Sequence, residues 1–579
     1  MSARYVSPVY KNLFQVPLPI PPNKEPLRTI TSNGTQFDYY EVEIRSLEQQ
    51  VYPGLSKAEL IGYDGVAPGP TFHMTKGRQA VVRFINHGTQ ANSVHLHGSY
   101  SRAPFDGWAE DTTEPGQYKD YFYPNGQNAR TLWYHDHAID HTAHNAYFGQ
   151  AGLYILHDPD ELATPGLPQG DDDVGLVLAS KRYNSDGTLW DPDTNGEVTS
   201  LWGDVIHVNG QPWPYLDVEP RKYRFRFLDA SVSRSFQIYL VADQQDTVRL
   251  PFTVVGADTG LLEKPVSTSQ LDISMAERWE VVVDFSSYAG QNLTFKNNRN
   301  VGADQDYVDT DKIIRFVVSS TTTGPARRWD SESLPTKLRT VPYPPPAKSA
   351  TQVDRSFTFG RSGSGGWTIN GVTWAIGPDA RVLAKPQRGN VEVWELVDGG
   401  GGWSHPIHIH LIISRKGGAR NAVLPYEQVA LKDVVWLNTG ETVRVIARFA
   451  PWDGLYMFHC HNLIHEDHAM MAAFNVTALT DLGYAETTHF IDPMEPKYRA
   501  VKFADSDFAA HTGPFSLAST QAKVDSLAAL DAYKDVDKIE EALVSYWATH
   551  TTLITVTSTT KSSSTKVSST STRSTSSKA

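Results

Sequence analysis

Apolar and polar residues alternate along three similar stretches of the chain. G-R-Q-A-V-V-R-F-I-N-H-G (77–88), P-R-K-Y-R-F-R-F-L-D-A-S (220–231) and G-N-V-E-V-W-E-L-V-D-G-G (389–400) share one course, an alternating stretch that runs into turn residues. A period of two is the mark of a strand with one face in a core. A second trio follows at 116–137, 276–297 and 440–461, each 22 residues long, ending L-W-Y-H-D-H, N-L-T-F-K-N and Y-M-F-H-C-H. Strand pairs recurring three times at domain-sized intervals, with little helical periodicity, predict an all-β chain of three homologous β-sandwiches at 1–160, 165–340 and 350–495. The stretch T-V-P-Y-P-P-P-A-K (340–348) reads as the linker before the third. Between 510 and 550 the spacing of apolar residues turns helical and predicts one appended helix. Residues 551–579 hold 20 Ser or Thr, which predicts a disordered tail.

Composition narrows the picture without changing it. A chain of 579 residues is too long for one core, and 40% hydrophobic with 11% aromatic content fits packed globular units. A net charge of −13 argues against nucleic acid or an anionic membrane as partner. No apolar run reaches the length that spans a bilayer. The N-terminus, M-S-A-R-Y-V-S-P-V-Y, lacks the apolar core of a signal peptide, while Asn33, Asn292 and Asn475 begin glycosylation sequons.

The chemistry sits in four His-x-His pairs: His95/His97, His135/His137, His408/His410 and His459/His461. Residues i and i+2 of a strand share a face, so each pair aims two imidazoles the same way. The pairs fall in the first and third repeats only. Where the first has H-L-H, about 18 residues after its opening glycine, the second has I-Y-L, and in place of H-D-H it has F-K-N. The fold therefore does not require histidine there, and a ligand bound between the first and third units does. Eight imidazoles exceed the needs of one metal ion and suit a polynuclear site. Imidazole alone does not select the metal. The single cysteine does. Cys460 points to the face opposite His459 and His461, where His405, His465 and Met470 can meet it. Two histidines, one thiolate and a weak axial thioether make a blue-copper site.

The combination H-L-H-G, W-Y-H-D-H, H-P-I-H-I-H and H-C-H-x-x-x-H-x-x-x-x-M resembles the multicopper oxidases, and the likeness runs over roughly residues 8–495. It implies cupredoxin-like Greek-key sandwiches, a second sandwich without metal ligands, and four copper ions. His405, Cys460, His465 and Met470 would be the type 1 ligands. His95 and His408 would hold the type 2 copper, and His97, His135, His137, His410, His459 and His461 the type 3 pair. The implied activity is one-electron oxidation of bilirubin-like tetrapyrroles or phenolic donors, coupled to reduction of dioxygen to water. Asp106 and Glu466 would deliver protons, and Trp403 would stand beside the donor pocket. The resemblance further implies a secreted or cell-surface glycoprotein acting as a monomer. His141, His144 and His468 lie outside the pattern and read as surface or capping residues.

One departure is visible. After H-P-I-H-I-H the chain reads L-I-I-S-R-K-G-G, about four residues short of the family's usual pattern, which predicts a strand shortened by roughly 13 Å. Rival functions are a laccase-type phenol oxidase, with the same copper ligands, and a non-catalytic copper-binding coat protein attached by its Ser/Thr tail. A ferroxidase would need carboxylates at the type 1 site, and G-G-G-G-W-S before His405 offers none locally.

Overall fold

The computed structural model describes residues 5–299, 301, 307–341, 352–363, 365–411, 413–417, 423–479, 489–533 and 535–550. Six sheets pair face to face into three sandwiches. The three alternating segments become the strands Gln79–Asn86, Lys222–Asp229 and Val391–Asp398. Each lies parallel to an earlier strand of its unit, Thr35–Gln49, Asp173–Lys181 or Arg355–Arg361. Each is also antiparallel to the next of its sheet, Gln117–Tyr123, Arg278–Asp284 or Thr442–Arg448. Every 22-residue window then crosses to the opposite sheet, where its second strand is Arg130–Asp136, Asn292–Asn297 or Gly454–Cys460. The threefold repeat is thus a repeat of topology as well as of pattern.

Packing ties the first and third sandwiches together. One continuous apolar core runs from Val42, Val82 and Phe122 of the first through Trp394, Phe458 and Phe474 of the third, while a separate core, with Phe225, Phe227, Phe295 and Phe316, fills the second.

Two regions differ from the sequence-based expectation. The appended helix is two helices, Leu517–Leu530 and Val536–Thr549. Asp531 and Asp535 both take left-handed backbone (φ 51° and 53°), which breaks the helical repeat between them. Ala532 and Tyr533 in that break are buried, and the Tyr533 hydroxyl donates to the Phe122 carbonyl at 2.6 Å. Beyond His410 the chain does not run on as one shortened strand. Leu411 turns at φ 64°, and Ile413–Gly417 joins the other sheet of the sandwich, antiparallel to Thr442–Arg448. Most of the Pro-rich linker and the whole Ser/Thr tail lie outside the described residues. No described helix is long and apolar enough to cross a membrane.

Candidate metal centre

In the first sandwich Val94, Leu96, Leu132 and Tyr134 point into the core, so the residues between them on Val94–His97 and Arg130–Asp136 point out. In the third, Ile407, Ile409, Phe458 and Cys460 point in, so His408, His410, His459 and His461 point out. The cross-strand pairs His95–His135 and His408–His459 occupy the same place in the two sandwiches, and the two outer faces meet. All eight imidazoles of the four pairs are buried there.

Their nitrogens are arranged for metal. Donor atoms of His97, His135 and His461 lie within 4.8 Å of one another, as do those of His137, His410 and His459, and those of His95, His97 and His408. Backbone and carboxylate acceptors fix the rings from outside. Nδ1–H of His95 donates to the Asp106 carbonyl (2.5 Å), that of His135 to the Asp136 carbonyl (2.7 Å), and that of His408 to the Asp433 carbonyl (2.8 Å). His410 Nδ1–H donates to Asp106 Oδ2 at 2.8 Å, and His459 Nδ1 lies 3.1 Å from Glu466 Oε2. The inner nitrogens then confront one another. His137 Nε2 and His459 Nε2 are 3.1 Å apart, His410 Nε2 and His459 Nε2 3.3 Å, and His408 Nε2 and His95 Nε2 3.4 Å.

Burial pushes His95, His97, His408, His410 and His461 well below the ordinary histidine range, His135 to about 3 and His137 to about 4. Neutral imidazoles with lone pairs turned toward one another repel unless a cation lies between them. His135 Nε2, His97 Nδ1 and both nitrogens of His461 are buried without a hydrogen-bond partner. A buried polar atom without a partner is costly, and metal ligation removes that cost. The residues therefore fit a cluster of metal ions.

On the inner face of Gly454–Cys460 lies the thiol. Cys460 Sγ is 3.4 Å from His405 Nδ1 and 3.7 Å from His465 Nδ1, and the two imidazole nitrogens are 3.2 Å apart. Met470 is fully buried beside them, its carbonyl accepting from the Cys460 amide at 3.2 Å. Burial raises the thiol and lowers His405 to about 3, so loading must displace a proton from sulfur while the imidazoles already offer lone pairs.

Two segments match the multicopper oxidase family, residues 47–161 and 342–479. Over 546 residues the chain is 54% identical to the bilirubin oxidase of Albifimbria verrucaria, covering 92% of this chain and 93% of that protein. The chain is a multicopper oxidase. It is also 30% identical to a laccase of Bacillus subtilis, across 79% of this chain and 98% of the laccase. Among solved structures, the McoA multicopper oxidase of Aquifex aeolicus superposes with TM-score 0.70 at 27% identity, covering 80% of this chain and all of that one. The all-β, cupredoxin-like fold is shared with these relatives. Like its family, this multicopper oxidase uses copper and takes dioxygen as electron acceptor.

The remaining predicted residues of this multicopper oxidase fall around the two sites. Asp106 is buried between His95 and His410, and Glu466 between His137 (3.4 Å) and His459. Trp403 is half-buried, edge-on to His465 with ring centres 5.8 Å apart. His144 stacks on Phe148, and His468 Nδ1–H donates to the Ile464 carbonyl at 2.8 Å, closing a short helix. His141 precedes the helix Thr142–Phe148.

Two sequence readings are corrected. Ile238 and Leu240 of I-Y-L face the core of the second sandwich, so the outward position matching the His95–His135 pair is held by Tyr239 opposite Lys296. An offset counted from a turn missed by one residue, and one residue flips the face. A carboxylate also stands beside the thiol site. Asp398 Oδ1 lies 3.7 Å from His405 Nε2, while Oδ2 accepts from the amides of Gly400 and Gly440 at 3.2 and 2.5 Å. The Gly400 and Gly440 amides thus hold this carboxylate beside His405.

Three aromatic residues escaped the sequence reading. Trp367 stacks on His465 with ring centres 3.6 Å apart, Trp202 lies parallel to Trp403 at 5.8 Å, and Trp133 stacks on His135 at 4.1 Å. Trp133 stands two residues before His135 and so shares its face, a signal that was available. Trp202 and Trp367 come from distant segments and gave none.

Proposed function

We propose that this chain oxidises bilirubin-like tetrapyrroles and phenolic donors one electron at a time beside Cys460 and reduces dioxygen to water at a three-copper cluster. One observation carries the reading. Two imidazole triads and the His95–His408 pair converge between two sandwiches, and the consecutive residues His459, Cys460 and His461 join them to the thiol site. His405, Cys460, His465 and Met470 would hold the type 1 copper, and His95 with His408 the type 2. The triads His97, His135, His461 and His137, His410, His459 would hold one type 3 copper each. Bound copper would accept single electrons from the donor and pass them to dioxygen, four electrons and four protons for each molecule reduced.

The chain's own groups have separate tasks. Trp403 and Trp202 form a parallel aromatic platform at the protein surface, matched to a planar donor. Trp367 wedges His465 against the core. Burial raises Asp106 well above the usual carboxyl range, with Lys119 opposing, and its Oδ1 has no partner, so it can hold a proton close to the cluster and release it. Burial works to raise Glu466 as well, but the imidazoles of His459 and His137 outweigh it and hold that carboxyl at about 2. Glu466 therefore stays ionised beside both rings, 3.1 Å from His459 Nδ1 and 3.4 Å from His137 Nδ1.

Each sandwich acts as one domain in this reading, divided near 160–165 and 340–350. Secretion as a glycosylated monomer fits Asn33, whose sequon lies in an exposed turn. A laccase-type phenol oxidase is the second reading, favoured by the 30% identical laccase relative. Oxygen uptake measured side by side with bilirubin and a simple phenol separates them. A markedly higher kcat/KM for bilirubin supports the first, and turnover of the phenol alone supports the second.

A further inference from the structure

Among the described residues the second sandwich contributes none of the clustered imidazoles, yet it sends a cation to them. Arg278 is fully buried, and its guanidinium grips Asp433 of the third sandwich through Nη1 to Oδ1 (2.7 Å) and Nη2 to Oδ2 (2.5 Å). Asp433 Oδ1 in turn accepts from His97 Nε2–H of the first sandwich at 3.2 Å. His95, His135, His408, His410 and His459 are all held through Nδ1, whereas His97 is held through Nε2, leaving its Nδ1 buried and without a partner. The main chain of Asp433 meanwhile fixes His408.

The pair is anchored on every side. Arg278 also donates to the carbonyls of Thr131 (3.1 Å) and Ala276 (2.8 Å), and its amide donates to Asp258 Oδ1 at 2.8 Å. Asp258 Oδ2 accepts from the Asp433 and Val434 amides at 3.0 and 3.2 Å. Lys432 bridges Asp258 and Glu277, at 2.9 Å to each. An independent feature answers to the same pair. Gly98, directly after His97, has φ 87°, and a Cβ there would come within 2.8 Å of Arg278 Nη2, Asp433 Oδ2 and Leu132 Cδ2. The glycine of H-L-H-G leaves the space that the ion pair fills.

We infer that Arg278 and Asp433 are a positioning pair that clamps His97 through Nε2 and so presents its Nδ1 to the cluster. The second sandwich, without ligands of its own, orients a ligand of the first through a residue of the third. This rests on the ligand assignment proposed above. Bidentate Arg–carboxylate pairs add direction as well as strength, and loss of such an outer partner weakens metal retention about 10- to 100-fold.

The test uses the copper-loaded full chain in Asp433→Asn and Arg278→Lys forms, challenged with a copper chelator. Cluster copper, counted by metal analysis and by the EPR signal of the uncoupled copper, is expected to leave about 10-fold faster in Asp433→Asn and by a smaller factor in Arg278→Lys, which keeps the charge but not the fork. The visible thiolate band of Cys460 should persist at the parental rate, reporting an intact third sandwich. If Asp433→Asn does not accumulate, Arg278→Lys and Gly98→Ala are each still expected to lose cluster copper faster than the parent, with the thiolate-bound copper retained. Parental retention in the variants, or equal loss of cluster and thiolate-bound copper, overturns the inference. A parent chain that never holds more than the thiolate-bound copper overturns the ligand assignment instead.

Discussion

The outer faces of Val94–His97 with Arg130–Asp136, and of Phe236–Ala242 with Asn292–Asn297, are the same surface of two homologous sandwiches put to different use. In the first, His95 and His135 face the third sandwich and are buried. In the second, Tyr239 lies under the guanidinium of Arg249, and Lys296, 20% exposed, pairs with Asp246 at 3.5 Å. Inward residues are apolar in both. The strands fix only which face a side chain takes. What lies opposite that face decides whether a ligand set can assemble.

The comparison breaks most severely if the second sandwich's residue is put into the first. His135→Lys buries an ammonium among imidazoles, an uncompensated charge costing about 3–5 kcal/mol. Oxygen uptake and cluster copper should be lost, while the thiolate band stays because Cys460 lies on the other face of its strand. Metal analysis and an oxygen electrode check both. Asp106→Asn should slow oxygen reduction about 10²- to 10⁴-fold and leave anaerobic bleaching of the thiolate band by donor unchanged in stopped flow. Slower bleaching would move Asp106 out of the proton path.

Met470→Leu replaces a thioether by an isosteric alkyl at a stability cost below about 1.5 kcal/mol, and should raise the reduction potential of the thiolate site. Spectroelectrochemical titration giving an equal or lower potential would remove Met470 from the ligand set. Trp403→Ala should raise KM for a tetrapyrrole about 2- to 10-fold, the worth of one aromatic contact, with less change for a small phenol. Equal shifts for both would make Trp403 a packing residue. The smallest effect belongs to the reverse graft. Tyr239→His with Lys296→His should alter stability by under about 0.5 kcal/mol and bind no further copper. Extra tightly held copper would mean that two imidazoles suffice without a facing sandwich.

Much of this was legible beforehand because strand alternation is local. Period two put His459 and His461 on one face and Cys460 on the other, and the structure keeps that division. The three-sandwich fold followed from repeats whose spacing is written in the chain. Register was less secure, since the second repeat's matching position fell one residue from the counted offset, at Tyr239. Asp398 was passed over although it stands only seven residues before His405, because its approach depends on the Gly400 and Gly440 amides that aim it.

By itself, then, the sequence determined the sandwiches, the histidine pairs and the thiol, since each is set by spacing along one or two strands. Only the tertiary structure decided that Trp367 would stack on His465, and that Arg278, Asp433 and His97 would meet from three separate sandwiches. Those contacts join residues tens to hundreds of positions apart, across faces whose docking no local periodicity encodes.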